Sequence, residues 1–190
     1  MSRNYIEDKQ FEKTDFSVQS PSKGDYDNCT FSNCNFSESN LAEISFTECT
    51  FTDCNLSNAK FSKTGLRDVK FNNCKLLGLH FDNCDPFLFE VSFEKCTLNL
   101  SSFYQVKMKK TNFTDCILQE VDFTGADLSQ SVFSRCDLAS AIFGETLLEK
   151  ADLSTAFNYS IDPASNTIKK AKFSFPGIVG LLDKYDIEIE

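Results

Sequence analysis

The residues of this 190-residue chain with the most varied chemistry are its nine cysteines, because thiols form disulfides, bind metals and act as nucleophiles. The close pairs are spaced C-x4-C, whereas zinc sites use pairs such as C-x2-C or histidine partners. An odd count also disfavours a disulfide framework. We therefore interpret these cysteines as small apolar core residues and expect no metal site and no cofactor. They are Cys29, Cys34, Cys49, Cys54, Cys74, Cys84, Cys96, Cys116 and Cys136.

The single histidine, His80, is the other candidate for chemistry, either as a general base or as the partner of a nucleophilic cysteine. No orienting aspartate, glycine-rich loop or oxyanion motif accompanies it, and the sequence contains no Walker A, GxGxxG or HExxH motif. A solvated surface histidine is the better interpretation. We predict no catalytic residue, and therefore that the protein is not an enzyme.

A five-residue period determines where all of these side chains lie. Phe or Leu recurs at every fifth residue, without interruption between residues 111 and 156, and a small or β-branched residue lies two positions before each one. Neither an α-helix nor a β-strand keeps a period of five on one face. All nine cysteines occupy the small position, and the other three positions are mostly polar. The chain is therefore built from repeats, with two of every five residues pointing inward.

This motif, in which a small residue, a polar residue, a Leu or Phe and two polar residues follow one another, resembles the pentapeptide-repeat family over residues 11–156. The resemblance implies an all-β fold, a right-handed quadrilateral β-helix in which four pentapeptides form one coil of 20 residues. Cys34, Cys54 and Cys74 lie 20 residues apart, as do Cys96, Cys116 and Cys136. Residues 20 apart would stack at about the strand spacing of ~4.8 Å, so each set of three should form a column.

The phase of the repeat changes once, at residues 85–87. The regular positions pass from Phe81 to Leu88, a step of seven residues, and then continue to Phe93. Pro86 cannot donate a backbone hydrogen bond, which favours a small loop or bulge at one corner. Because Cys74 and Cys96 are 22 residues apart, we expect this two-residue insertion to leave all six column cysteines on one face.

Both ends of the chain depart from the pattern. Residues 1–10 are polar and are predicted to be an N-terminal cap or a loose end, and residues 157–190 an irregular last coil followed by a helix and a short strand. Since the end of a solenoid must be covered, these apolar residues form either a monomeric cap or a cap that also makes a homodimer. The candidate dimer residues are Phe175, Ile178, Val179, Leu181, Leu182, Ile187 and Ile189.

The charge distribution provides the candidate binding surface. The net charge of −9 argues against direct binding of nucleic acid, which requires a basic patch. Residues 24–59 and 114–149 are strongly acidic, whereas residues 60–113 are neutral to basic. The acidity either imitates duplex DNA toward a basic partner or only keeps the rod in solution. The candidate partner-binding residues are Asp115, Glu120, Asp122, Asp127, Asp137, Glu145 and Glu149.

In its cysteine-rich repeats, its irregular Asp162-Pro163 stretch and its final helix and strand, the chain resembles the Qnr and MfpA branch of the family. Members of that branch dimerise through the C-terminal module and protect DNA gyrase and topoisomerase IV from quinolones. The resemblance implies a DNA mimic that binds and inhibits or modulates a type II topoisomerase, with quinolone resistance as a further implication. With an insertion of only two residues, the chain is closer to the loop-less MfpA type. The alternative is an interaction rod with an unrelated partner. No apolar run is long enough to cross a membrane, and the start is not a secretory signal, so we expect a cytoplasmic protein.

Overall fold

The structure, a computed structural model, describes residues 4–188. Short parallel strands follow one another along the chain in two sheets, with order β1-β3-β5-β7 in the first and β13-β12-β11-β10-β9-β8-β6-β4-β2 in the second. The strands are β1 (Asn4–Glu7), β2 (Gln10–Glu12), β3 (Gly24–Asp27), β4 (Thr30–Ser32), β5 (Ser45–Thr47), β6 (Thr50–Thr52), β7 (Gly65–Arg67), β8 (Val69–Asn72), β9 (Val91–Glu94), β10 (Asn112–Thr114), β11 (Val132–Ser134), β12 (Asp152–Leu153) and β13 (Lys172–Phe173).

Every coil repeats the one before it after 20 residues. Phe113 of β10 is paired with Phe133 of β11, and bridges outside the strands keep the same step, as between Ile117 and Asp137. This confirms the predicted fold class, a quadrilateral β-helix, here of about eight coils. We number its four sides 1 to 4 by the inward residues Phe113, Leu118, Phe123 and Leu128, so that the nine-stranded sheet is side 1 and the four-stranded sheet is side 4.

Stacked phenylalanines fill the interior. On side 1 the rings of Phe93, Phe113 and Phe133 lie parallel, with centroids 5.1 and 4.9 Å apart. On side 3 the ring of Phe103 stacks on that of Phe123 at 5.4 Å, and it meets the ring of Phe113 edge to face at 6.2 Å. Offset-stacked and edge-to-face arrangements are the two favourable aromatic geometries. The repeated phenylalanine is therefore one structural position occupied in coil after coil.

The insertion is absorbed between β7 and β9, where the pairing step changes from 20 to 22 residues. Asp85 still bridges to Gly65, and Val91 is paired with Val69. The prediction that Leu88 resumes the inward series was wrong, because its side chain is 65% exposed. Phe89 instead packs partly against the core, with its ring edge-to-face on Phe81 at 6.5 Å. The inserted loop directs Leu88 outward, and the next residue, Phe89, partly fills the interior in its place.

The chain turns each corner with a residue in the left-handed conformation. The last position of nearly every pentapeptide has φ between 48° and 64°, although few of these residues are glycine. Only glycine, asparagine and aspartate adopt this conformation at low cost. Asn33, Asn58 and Asn73 fit that preference, whereas Leu100 does not. The corners are therefore where the repeat is strained.

The ends of the solenoid extend beyond the predicted limits. β1 pairs with β3 in the regular register, so coiled structure includes Asn4–Glu7, within the segment assigned to a cap or loose end. At the other end, β13 continues side 1 to Phe173, and Ile168 packs against the core. The last coil is irregular at residues 158–163, where Asn158 and Pro163 replace the regular Phe or Leu, whereas Asn166 keeps the small position and accepts a hydrogen bond from Thr146 N at 2.9 Å.

A pair of 3-10 helices, Pro176–Leu181 and Asp183–Tyr185, follows the last coil. Pro176 begins the first of them, as expected, and Ile161 N donates a hydrogen bond to Gly180 O at 2.9 Å. A Cβ atom at Gly180 would lie 2.0 Å from Tyr159 O, so only glycine allows this approach. The predicted strand is not present up to Glu188, and Ile189 lies outside the described residues.

The strain at Leu100 yields a stability prediction. Leu100 is the third residue of a turn closed by a hydrogen bond from Ser101 N to Leu98 O at 3.1 Å, and its φ is +62°. A β-turn whose third residue has a positive φ favours glycine or asparagine at that third position. We expect Leu100→Asn to stabilise the protein by about 0.5–1 kcal/mol, part of the left-handed cost for other residues. The midpoint of urea denaturation measures it. Leu100→Val, which is β-branched, should lower the midpoint, and a lower midpoint for Leu100→Asn would contradict the explanation.

Candidate functional surface

The nine cysteines lie inside the coils and none of their thiols is in a disulfide. The Sγ atom of Cys54 donates to Phe31 O and Thr52 O at 3.4 and 3.3 Å, and Cys96 makes the equivalent contacts with Phe71 O and Glu94 O, both at 3.3 Å. This confirms the single column, since Cys96 maintains the pattern across the insertion. Serine and threonine use the same position in other coils, where the Thr64 hydroxyl donates to Leu41 O at 2.8 Å.

All nine thiols are buried, although hydrogen bonds with neighbouring cysteines of the column lower the pKa of Cys74 and Cys116. Burial raises the pKa of Cys49 to about 12, and it also raises the pKa of Cys84. A thiol that stays protonated and buried is a poor nucleophile and a poor metal ligand. Among residues 4–188, no group of three or more His, Cys, Asp or Glu side chains is arranged to hold a metal ion.

His80 is exposed, in agreement with the prediction for its position. Its Nδ1 atom lies 3.3 Å from an oxygen of Asp82, and both side chains lie on side 3 of the solenoid. This contact is too exposed to hold the imidazole in one orientation. His80 therefore belongs to the polar surface of the rod.

The seven acidic candidate residues are distributed around the coil. Asp137 lies on side 2, Asp122 on side 3, and Asp127 and Glu149 on side 4. Asp115, Glu120 and Glu145 each occupy a left-handed corner position. The structure therefore brings only Asp127 and Glu149 to a common side. The segment presents carboxylates on sides 2, 3 and 4 and at three corners, which one column of residues would not do.

Two of these carboxylates are neutralised by neighbouring coils. The Arg135 guanidinium donates to both oxygens of Asp115, at 2.6 and 2.7 Å, and these hydrogen bonds lower the pKa of Asp115. Lys109 lies 3.2 Å from Asp127. Glu120 and Glu145, by contrast, have no hydrogen-bonded or ion-paired side-chain partner within residues 4–188. These two exposed carboxylates are the ones best placed to meet a cationic partner.

Charge changes sign twice between residues 24 and 149. Six carboxylates and no basic residue lie between residues 24 and 59, and seven carboxylates with Arg135 lie between residues 114 and 149. The intervening segment, residues 60–113, has nine Lys and Arg residues against five Asp and Glu. We call this segment the basic waist. Stacking converts these stretches of sequence into bands around the rod, because each coil advances the chain by only about one strand spacing.

The candidate dimer residues fall into two groups. Phe175, Val179 and Ile187 are 87%, 45% and 56% exposed, and Ile178 is also exposed. Leu181 packs against the core and Leu182 is half-buried, so these two residues cover the last coil. The exposed group, Phe175, Ile178, Val179 and Ile187, therefore forms an apolar surface beyond the residues that pack against the last coil.

Comparison with known proteins agrees with this architecture. The family model for the pentapeptide repeat region matches residues 25–87 and 78–153. This chain belongs to the pentapeptide-repeat family. Its fold is similar to that of full-length QnrB1, a plasmid-mediated fluoroquinolone resistance protein, with a TM-score of 0.64 and 16% identity over 97% of this chain and 100% of QnrB1.

A trypsin-treated variant of QnrB1 gives the same TM-score of 0.64, with 20% identity over 100% of this chain and 95% of that one. At such identities the likeness establishes the fold alone. No curated protein matches this sequence. Among residues 4–188, no helix has the length and apolar composition that crossing a bilayer requires.

The burial of the cysteines predicts their reactivity. A thiol reagent such as DTNB should modify essentially none of the nine in the native protein and all of them in urea, because the folded coils keep the reagent away from every buried thiol. The absorbance of the released thiolate measures this. Rapid modification of a cysteine in the folded protein at neutral pH would show that an inward position is more open than the structure indicates.

Proposed function

We propose that this protein is a non-catalytic acidic rod that binds DNA gyrase or topoisomerase IV on the surface where the enzyme holds duplex DNA, and so inhibits or modulates the enzyme. The observation that carries the proposal is the linear charge density of residues 114–149. Their net charge of −6 lies on 36 residues, or just under two coils. At ~4.8 Å per coil this is about one negative charge per 1.4 Å of axis, close to the ~1.7 Å of duplex DNA.

The arrangement of those charges supports the same proposal. A duplex presents phosphates in all directions around its axis, and the carboxylates of this segment also lie on several sides and corners. A basic groove that encloses DNA would therefore meet negative charge on three of the four sides of this band. The fold is also that of QnrB1, a fluoroquinolone resistance protein, and quinolone resistance is the corresponding proposal for this chain.

Dimerisation through the C-terminal apolar surface would extend the mimic. Phe175, Val179 and Ile187 follow the last coil, and residues 150–173 separate them from the acidic band. Joining two copies there would place their acidic bands on either side of a two-fold axis, as the two arms of a DNA segment lie in a symmetric enzyme. The competing function is a rod that binds an unrelated partner. The change of charge along the rod would favour this alternative only if the basic waist formed the contact with the partner.

The topoisomerase proposal predicts inhibition of gyrase that depends on particular carboxylates. Adding this protein at micromolar concentration should inhibit DNA supercoiling by gyrase, measured by gel electrophoresis of the plasmid. Reversing two exposed corner charges, Glu120→Lys with Glu145→Lys, should raise the half-inhibitory concentration about tenfold or more, since electrostatic attraction drives the encounter. Raising the salt concentration should weaken inhibition as well.

The matched control reverses Glu38 and Glu48, which are glutamates at exposed left-handed corners of the N-terminal acidic segment. It should change the half-inhibitory concentration by no more than about threefold, because those charges lie far from the C-terminal two-fold axis. The absence of inhibition at ten micromolar would overturn the proposal. Equal loss in the two double variants would show that only total charge matters.

The dimer has its own prediction. Phe175→Glu with Val179→Glu should give a monomer by light scattering, with the β-sheet circular dichroism of the wild type, because both side chains are exposed. Val18→Glu, at an equally exposed site near the other end, is the control and should leave the mass unchanged. A wild type that is monomeric at tens of micromolar would overturn the interface. Leu181 is unsuitable for this test because it packs against the core.

A further inference from the structure

Two adjoining cavities flank the insertion in the basic waist. The larger, of about 600 Å³, lies between residues 89–92 and residues 107–112 and includes Lys70, Lys107, Lys109 and Lys110 in its wall. The smaller, of about 450 Å³, is bounded mainly by Phe81, Pro86, Phe89, Tyr104 and Val106. Phe89 and Lys107 belong to both walls. Each volume is within the ~300–1,000 Å³ typical of sites for small ligands.

The cavities exist because the insertion interrupts the stacking of side 4. The sheet on that side ends at β7, and Lys107 bridges to Asp127 in the next coil but to no residue of the preceding coil within the described chain. Among the described residues, no carbonyl accepts the backbone N–H of Lys107. A backbone donor is thus left open beside the ammonium groups, whereas the equivalent N–H groups of Asp85 and Asp127 donate to Thr64 O and Val106 O.

The two cavities differ in chemistry. Lys107 and Lys110 have no carboxylate partner within 4.0 Å in residues 4–188, whereas Lys70 pairs with Asp68 at 3.9 Å and Lys109 with Asp127 at 3.2 Å. Glu90 is the other carboxylate in this wall, so the four lysines exceed the two wall carboxylates. The smaller cavity presents aromatic rings, with Tyr104 45% exposed and Phe89 half-buried, beside the side-chain amide of Gln105.

The loop between the cavities is held in place. Arg67 donates from one guanidinium nitrogen to Ser45 Oγ and from the other to Asp85 at 3.1 Å, while its guanidinium carbon lies 5.5 Å from the centre of the Phe87 ring. Phe87 N in turn donates to Asp85 at 3.0 Å. A braced loop keeps both cavities open in the free protein, which lowers the ordering cost of binding.

We propose that this cleft binds a mononucleotide, with the phosphates among the lysines and the base in the aromatic cavity. Lysine ammonium groups and an unpaired backbone N–H are suitable donors for phosphate oxygens. The flat base would lie against Tyr104 and Phe89, since stacking on aromatic side chains tolerates any base. Phosphate alone would leave the aromatic half empty, and a neutral planar molecule would leave the lysines without a counter-charge.

The test is isothermal titration of the full-length protein with ADP, GDP and UDP, beside adenosine and pyrophosphate. At least one nucleotide should bind, and adenosine and pyrophosphate should each bind about tenfold or more weakly. Lys107→Gln with Lys110→Asn should weaken the nucleotide about tenfold; asparagine suits the left-handed conformation at residue 110, where φ is +61°. Tyr104→Ala should also weaken the nucleotide while leaving the affinity for pyrophosphate unchanged.

The control is Lys75→Gln, which removes an exposed lysine from side 2 and should leave the affinity within about twofold. Circular dichroism and thermal melting establish that each variant is folded. Three results would overturn the proposal: no heat of binding with any nucleotide, pyrophosphate binding as tightly as ADP, or an unchanged affinity in the double lysine variant. All of these measurements are independent of gyrase, so the topoisomerase proposal can fail while this one holds.

Discussion

In-register parallel stacking is the constraint on which the rest of this structure depends. When residues 20 apart lie directly over each other at about 4.8 Å, each inward column must accept the same shape in coil after coil. Phe93, Phe113 and Phe133 satisfy this by stacking their rings, and the small position satisfies it with Cys, Ser, Thr or Ala. Larger residues such as Ile44 and Leu79 also lie fully buried at this position, where the residues 20 places away, Thr64 and Ala59, are smaller. Neighbouring coils thus share the volume of a column, and overpacking is avoided. The composition of the protein, rich in Phe and Cys and without Trp, follows from that geometry.

The same constraint explains why a two-residue insertion leaves the core intact. The pairing of Val69 with Val91 restores the register within one corner, so Cys96 continues the column of Cys74. The disturbance is confined to side 4, where the ladder ends, and to the braced loop above it. A solenoid tolerates this because each coil contacts only its neighbours. The insertion therefore changes the surface and not the interior.

Much of the fold was predictable because the inward positions are determined by packing. The five-residue period identified the core, and the spacing of the cysteines identified the column across the insertion. Leu88 was misassigned because the sequence pattern does not show which of two adjacent apolar residues, Leu88 or Phe89, turns inward; the path of the loop decides this. The first strand at Asn4 was missed because polar residues surround Ile6, although Ile6 lies five residues before Phe11 and packs against the core while the strand pairs with β3. Side-chain pairs such as Asp115 with Arg135 depend on the 20-residue step and could have been found from it.

The outward positions are the ones free to carry function, since three residues in five contribute little to packing. On this surface the chain has placed two acidic bands separated by the basic waist, and a rod that only needed to stay in solution would not require that segregation. A uniform DNA mimic would not require a basic middle either. The acidic band nearer the C-terminal cap and the lysines beside the insertion are therefore best understood as two separate surfaces. Because a small ligand in the waist would cover neither the corner glutamates nor the cap, both surfaces can act in the same molecule.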